Sequence, residues 1–257
     1  MNLSSMVAAA LNMLWWFIPV VLIITVLKSR WFKGVLGEAL VQFAAKIRLP
    51  ASTYHRIHNV TLPMQGGSTQ IDHIFVSRFG IFVVETKNMK GLIVGGEHQA
   101  QWTQQFFKTS FKFQNPLRQN YKHMMALESA LDISPELIHS VVAFVGQSTF
   151  KSPMPASVTR GMGYIAYIKS FREKVLSPVE VREILAKIQS ARLPPSRATH
   201  RKHVKQLKKH LRQSAKKKCP ACAGPMVLRT AQRGANAGHQ FWGCSAYPKC
   251  TAVENIK

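Results

Sequence analysis

The sequence predicts an α/β (α+β) domain over about residues 31–191, preceded by one transmembrane helix and followed by a small cysteine-built module. Three observations predict it. Runs with strand alternation and runs with helical period succeed one another between Val35 and Ala191. Met6 to Leu27 carries no charged residue, and all four cysteines fall between positions 219 and 250. The organisation is therefore 1–30 anchor, 31–191 mixed domain, 192–216 basic linker and 217–257 cysteine module.

The elements follow in order. The apolar run ending at Leu27 is long enough for a bilayer core of about 30 Å. No basic residue precedes it and no small-x-small cleavage site follows, so it reads as an anchor rather than a signal peptide. Lys28, Arg30 and Lys33 follow at once, and the positive-inside rule places the rest on the cytoplasmic face of the inner membrane, as a single-pass protein. Leu36, Leu40, Phe43 and Ile47 recur at helical spacing, predicting an amphipathic helix over Val35 to Arg48 that Pro50 ends. Tyr54 to Leu62 reads as a strand and Pro63 to Ser68 as a loop. Gln70 to Ser77 and Ile81 to Thr86 are strands joined by Arg78-Phe79-Gly80, where glycine permits a tight hairpin.

Gly91 to Val94 and Ala100 to Thr103 are short strands. Pro116 to Leu131 is a helix with Asn115 as its N-cap. His139 to Val145 and Tyr164 to Ile168 are strand candidates, and Ser177-Pro178-Val179-Glu180 opens a helix to about Ala191 with a capping box.

Charge bounds the partner. Lys and Arg total 35 against 11 Asp and Glu, a formal net charge of +24, while 46% of residues are hydrophobic. That composition excludes a disordered chain and points to a polyanion, nucleic acid or anionic lipid. Arg192 to Lys218 holds many cations and no acid, a stretch that binds phosphates by charge alone.

Acids are scarce, so each one is informative. Asp72 and Glu85 sit in hydrophobic strands, where an unpartnered carboxylate is costly. With Arg78-Phe79 as a two-residue loop, Ser77 faces Gly80 and Asp72 faces Glu85, their Cβ atoms about 5 Å apart on one face. Lys87 shares that face, two residues further on. Opposed carboxylates repel unless a proton or cation lies between them. With a lysine alongside they suit a hard divalent ion, Mg²⁺ or Mn²⁺, and phosphodiester hydrolysis.

At these residues the sequence resembles the PD-(D/E)xK nuclease fold: Asp72 in Gln70-Ile71-Asp72-His73-Ile74 and the triplet Glu85-Thr86-Lys87 match its D…(D/E)xK signature. Gly37-Glu38, Phe82-Val83-Val84-Glu85-Thr86-Lys87, Gly91, Trp102 and Asn115-Pro116-Leu117-Arg118-Gln119 together resemble the nuclease-related (NERD) domain over about residues 34–150. The resemblance implies a central mixed sheet with flanking helices. It also implies Asp72 and Glu85 as metal ligands, Lys87 as the catalytic lysine and Glu38 as a supporting acid. Gln119 resembles the first residue of a Q-x-x-x-Y element, with His123 where tyrosine is expected. Plainer readings stand beside these: Glu38 as a helix-dipole partner, Glu85 and Lys87 as an ion pair, Gln119 as a neighbour of the helix cap.

Cys219-Pro220-Ala221-Cys222 and Cys244 with Cys250 form two chelating knuckles, the composition of a closed tetrahedral zinc site. The metal supplies the stability that so short a segment cannot draw from a core. Gly224-Pro225-Met226 and Phe241-Trp242-Gly243-Cys244-Ser245-x-Tyr247-Pro248-x-Cys250 resemble the zinc ribbon at the carboxy terminus of bacterial type I DNA topoisomerases. This implies single-stranded DNA binding by stacking on Phe241, Trp242 and Tyr247 beside Arg229 and Lys249. A plainer role for Phe241 or Trp242 is to fill the ribbon core.

The reading is a membrane-anchored, metal-dependent DNA nuclease with a structural zinc ribbon. Two alternatives accompany it: a non-catalytic DNA-binding adaptor that retains the fold, and a basic scaffold on the membrane surface.

Overall fold

The computed structural model describes residues 3–64, 67–194, 218–231, 240–247 and 250–255, with the side chains of 3–14, 16, 30, 228, 230 and 240 outside the description. Two compact units emerge, one of residues 1–64 and 69–193, the other of 65–68 and 194–257. The basic linker at 195–217 lies outside the described residues.

Helices α1 (Leu3–Lys28) and α2 (Arg30–Arg48) are separated by Ser29, whose extended backbone breaks the helix and whose hydroxyl accepts the Phe32 N–H at 3.1 Å. The expected span at 6–27 falls on α1. Among the described residues, no helix is long and apolar enough to cross a membrane.

Helix α2 forms as its period predicts, but its inner face differs from the expected one. Val41, Ala45 and the following Leu49 are fully buried, while Leu36, Leu40, Phe43 and Ile47 are exposed. The helix carries two apolar stripes on opposite sides. Gly37 and Ala45 on the inner stripe allow close approach to the sheet, since a Cβ at Gly37 would stand 2.7 Å from Asn88.

The central sheet runs β1-β2-β3-β7-β9, built from β1 (His55–Met64), β2 (Gly67–Ser77), β3 (Gly80–Lys87), β7 (Ile138–Phe144) and β9 (Val158–Arg160). β2 and β3 are antiparallel, whereas β3, β7 and β9 run parallel, so the sheet is mixed. One face is covered by α3 (Pro116–Leu131) and α5 (Pro178–Ala191): Leu127, Leu131, Ile184 and Ile188 pack on Ile74, Val76, Ile81 and Val83. On the other, Val41 and Ala45 of α2 and Tyr164 and Ile168 of α4 (Gly163–Ser170) pack on Phe75, Phe82, Val84 and Val141. Each such burial is worth about 1.5–3 kcal/mol before conformational entropy is counted.

A second sheet, β6-β5-β4-β8, joins β4 (Gly91–Val94), β5 (Gln101–Phe106), β6 (Thr109–Gln114) and β8 (Ser148–Phe150). Trp102 pins it to the central sheet. Its buried indole stacks on Phe144 of β7 at 6.2 Å and donates Nε1–H to the Gly96 carbonyl at 2.9 Å.

Further differences from expectation lie in short segments. Tyr164 to Ile168, expected as a strand, lies in α4. Tyr164, Ile165 and Ile168 fall on one helical face and bury together, and five apolar residues do not distinguish the two periods. The expected strand at Ala100 to Thr103 extends to Phe106 and returns as β6. The expected loop at Pro63 to Ser68 is shorter, because β1 runs to Met64 and β2 starts at Gly67.

The other unit is a three-stranded antiparallel sheet, β10 (Met226–Thr230), β11 (Gln240–Cys244) and β12 (Val253–Asn255), in the order β10-β11-β12.

Candidate functional site

The β2–β3 hairpin sets the site. Ser77 pairs with Gly80, and the ladder continues through Phe75–Phe82 to His73–Val84. Gly80 has φ +122°, and a Cβ there would stand 2.6 Å from the His139 ring. Carried one step further, this register sets Asp72 across from Glu85. The Asp72 side chain replaces the next rung: its Oδ2 accepts the Thr86 backbone N–H at 2.9 Å.

Glu85 and Lys87 have the parity of Ile81 and Val83 and so look toward α3. Lys87 Nζ donates to Glu85 Oε1 at 2.7 Å and to Gln119 Oε1 at 2.9 Å. Glu85 Oε2 meets His123 Nε2 at 3.1 Å, and His123 Nδ1 meets Thr69 Oγ1 at 2.7 Å. Asp72, Glu85, Lys87 and Gln119 thus come together in one cluster.

Glu38, on α2, has its carboxyl pKa raised by burial first and then by the Glu85 charge, with no hydrogen bond or ion pair to the cluster among the described residues. Asp72 is raised well above the ordinary carboxylate range, by burial first and then by Glu85, against the opposing Thr86 N–H. Burial would also raise Glu85, but Lys87 and the hydrogen bond from His123 hold it below its ordinary value. The two carboxylates that face each other are therefore driven in opposite directions.

The Asp72 and Glu85 carboxylates are hard oxygen donors, which suit a divalent ion such as Mg²⁺ better than a soft metal. The fit is partial. Both Glu85 oxygens are engaged, and among the described residues only the four cysteines gather three or more candidate ligands.

His123 and Thr69 were not picked out as site residues by the sequence. The available signal was helical spacing, because His123 lies four residues beyond Gln119 and so on the same face. Asn120, also unanticipated, is fully buried and ties α3 to the sheet by donating to the Val83 carbonyl at 2.9 Å and to Ser140 Oγ at 2.8 Å. His73 faces away from Asp72, as strand parity requires. It meets His58 Nδ1 at 2.9 Å and Thr86 Oγ1 at 3.1 Å, and burial, with His58 beside it, lowers its pKa to about 3.

In the other unit the four sulfurs lie within 4.8 Å of one another. Cys219 and Cys250 are 3.7 Å apart and Cys222 and Cys244 3.4 Å. Disulfides would need about 2.05 Å, whereas a tetrahedron with Zn–S near 2.3 Å places its sulfurs about 3.8 Å apart. The donor set and spacing fit structural Zn²⁺. Buried Met226 and part-buried Trp242 pack against the cysteines, so Trp242 fills the ribbon core.

Arg229 lies across Gly243, where a Cβ would stand 2.8 Å from its Cδ, and donates to the Cys244 carbonyl at 3.0 Å. Its guanidinium also lies 5.4 Å from the centre of the Tyr247 ring, which is 61% exposed. Phe241 is part-buried, and Lys249 lies outside the described residues.

A mixed sheet with an acid–lysine–glutamine cluster, in a chain that also carries a four-thiolate ribbon, defines a nuclease-like class of protein. The family profile described as nuclease-related domain matches residues 33–145, and that described as topoisomerase DNA binding C4 zinc finger matches residues 216–257. An uncharacterized protein of Bacillus anthracis is 37% identical over 183 residues, covering 69% of this chain and 84% of that protein. No solved structure matches. The chain belongs to the nuclease-related domain family and ends in a topoisomerase-type zinc ribbon.

Proposed function

We propose that the chain is a membrane-anchored, metal-dependent nuclease that hydrolyses phosphodiester bonds in DNA. The observation that carries this is the convergence of Lys87 on Glu85 and Gln119, with Asp72 across the hairpin accepting the Thr86 N–H through Oδ2. Asp72 and Glu85 hold Mg²⁺ or Mn²⁺, with Glu38 supporting them. When bound, the ion supplies Lewis-acid polarisation of the phosphodiester. Lys87 orients the attacking water and stabilises developing negative charge, Gln119 fixes the ammonium, and His123 fixes the Glu85 carboxylate. The zinc ribbon holds single-stranded DNA by stacking, with exposed Tyr247 the most available ring and Arg229 its support, alongside Phe241 and Lys249, while Trp242, expected to stack as well, packs on the cysteines instead.

Anchoring draws its support from the uncharged stretch at 6–27, the cations at Lys28, Arg30 and Lys33, and the outward apolar stripe Leu36, Leu40, Phe43 and Ile47 on α2. Flotation with membranes that is lost on deleting residues 1–30 is the corresponding test.

For the activity, residues 31–257 are expected to cleave DNA with Mg²⁺ or Mn²⁺. Glu85→Ala and Lys87→Ala are expected to lose cleavage and keep binding. Undiminished cleavage in those variants refutes the site. A second reading, a DNA-binding adaptor without turnover, is favoured by one observation: both Glu85 oxygens are already satisfied by Lys87 and His123. It predicts salt-sensitive DNA binding and no cleavage with any divalent ion.

A further inference from the structure

The β5–β6 hairpin carries an aromatic face out of the core into solvent. Its register pairs Trp102 with Phe113, Gln104 with Phe111 and Phe106 with Thr109, so all four rings lie on one face. Trp102 is fully buried and Phe113 part-buried, yet Phe111 is 51% and Phe106 46% exposed. Phe107, at the turn, is 94% exposed and has φ +50°, a left-handed conformation unfavourable for a bulky residue. Two-residue hairpin loops of this geometry favour asparagine and glycine. A phenylalanine here gains no burial and bears backbone strain, which points to a use outside the fold.

The arm connects to the segments that carry the acid–lysine cluster. Gln104 Nε2 donates to the Lys90 carbonyl at 2.8 Å, three residues beyond Lys87, and β6 leads through Asn115 into α3, which carries Gln119 and His123. Lys108 follows Phe107 in the turn, Lys112 lies on the opposite face of β6 from Phe111 at the edge of the arm, and residues 100–114 contain no acid. Every nucleobase offers a face for ring stacking, and cations beside the rings complement phosphates.

We propose that the β5–β6 arm is a nucleic-acid contact: Phe106, Phe107 and Phe111 stack on unpaired bases, while Lys108 and Lys112 neutralise phosphates of the strand entering the acid–lysine site. This rests on the nuclease reading for the direction of the strand, but not for the binding itself.

The test uses the full chain and a fluorescein-labelled single-stranded oligonucleotide, with affinity read by anisotropy in EDTA-free buffer containing Ca²⁺ and cleavage read separately in Mg²⁺. Phe107→Ala and the Phe106→Ala/Phe111→Ala pair are expected to weaken binding about tenfold or more, and Phe107→Trp to retain it. Phe107→Leu should behave as Phe107→Ala, because it keeps apolar area but loses the ring face. Wild-type affinity in the alanine variants or in Phe107→Leu overturns the proposal. So does a loss confined to phosphatidylserine vesicles, with oligonucleotide affinity unchanged. If the wild-type chain binds in an arm-dependent way but cleaves with no divalent ion, the hydrolytic reading fails and the arm stands. If it cleaves and the arm variants bind and cleave as wild type, the reverse holds.

Discussion

His123 Nε2 lies 3.1 Å from Glu85 Oε2, one helical turn along α3 from the Gln119 that holds Lys87. Four helical residues rise about 6 Å, and two strand residues about 6.6 Å. Helix α3, running opposite to β3, therefore presents one partner to each charged residue of the strand: Gln119 to Lys87 and His123 to Glu85. The match of rises allows both contacts without distortion. It makes α3 the element that fixes the ion pair.

Removing the imidazole should expose that dependence. His123→Ala leaves buried Glu85 Oε2 and Thr69 Oγ1 without their partner, and is expected to cost about 1–3 kcal/mol in urea unfolding. It also removes an influence that lowers the Glu85 pKa, so the acid limb of a cleavage pH profile should move upward. A profile and a midpoint both unchanged would show that His123 plays no part in holding Glu85.

Asp72 makes the opposite prediction about stability. Its folded-state pKa is raised, so the folded state holds the proton more tightly, and ionisation opposes folding as pH rises through that value. Asp72→Asn should therefore raise the melting temperature at neutral pH in EDTA, with the gain fading as pH falls below the ordinary carboxylate range. Addition of Mg²⁺ should raise the wild-type melting temperature and leave that of Asp72→Asn unmoved.

His73 governs an acid-sensitive margin on the other face of the sheet. Its pKa falls from 6.5 to about 3 on folding, so the unfolded chain takes up a proton that the folded chain refuses. Stability present above pH 6.5 is lost as pH falls toward 3, on the order of several kcal/mol across that window. Substituting His73→Gln should flatten this limb in guanidinium titrations at stepped pH. An identical limb would place the titration elsewhere.

Asn115 joins two elements at once. Its Oδ1 caps α3 through the Leu117 N–H at 2.9 Å, and its Nδ2 donates to the Glu97 and Gln99 carbonyls at 2.9 and 2.7 Å. Asn115→Ala loses the cap and the buried amide that ties the Glu97 and Gln99 carbonyls to α3, at an expected cost of about 1–2 kcal/mol by chemical denaturation. Asn115→Asp keeps the cap alone and should recover only part of it.

The thiolate centre should be separable by chelation. Stripping Zn²⁺, or Cys222→Ser, removes a binding energy of about 10–16 kcal/mol in comparable small sites. Amide resonances of β10 and β11 are then expected to collapse to random-coil positions and to return on adding Zn²⁺. Resonances that stay dispersed without metal would mean that the buried Met226 and its neighbours suffice as a core.

Much of the frame was legible because it is local chemistry. Ser77-Arg78-Phe79-Gly80 dictated its own hairpin and so the register that turns Asp72 toward Glu85. Asn115-Pro116 and Ser177 through Glu180 announced two helix starts through caps that the structure contains. The run Tyr164 to Ile168 was illegible, since it is too short for its period to decide between strand and helix. The β6 strand escaped because its pattern of exposed rings and lysines resembles neither a buried strand nor a polar loop.

The sequence by itself determined the pieces whose partners are near in the chain: the four-sulfur centre, the helix caps and the hairpin carrying the acids. Tertiary structure alone decided which apolar stripe of α2 is buried and that His123 reaches Glu85 across 38 positions. The reason is physical. Spacing tells which side chains share a face, but the choice between two apolar faces depends on what the sheet presents to them, and Phe75, Phe82 and Val84 present it to Val41 and Ala45.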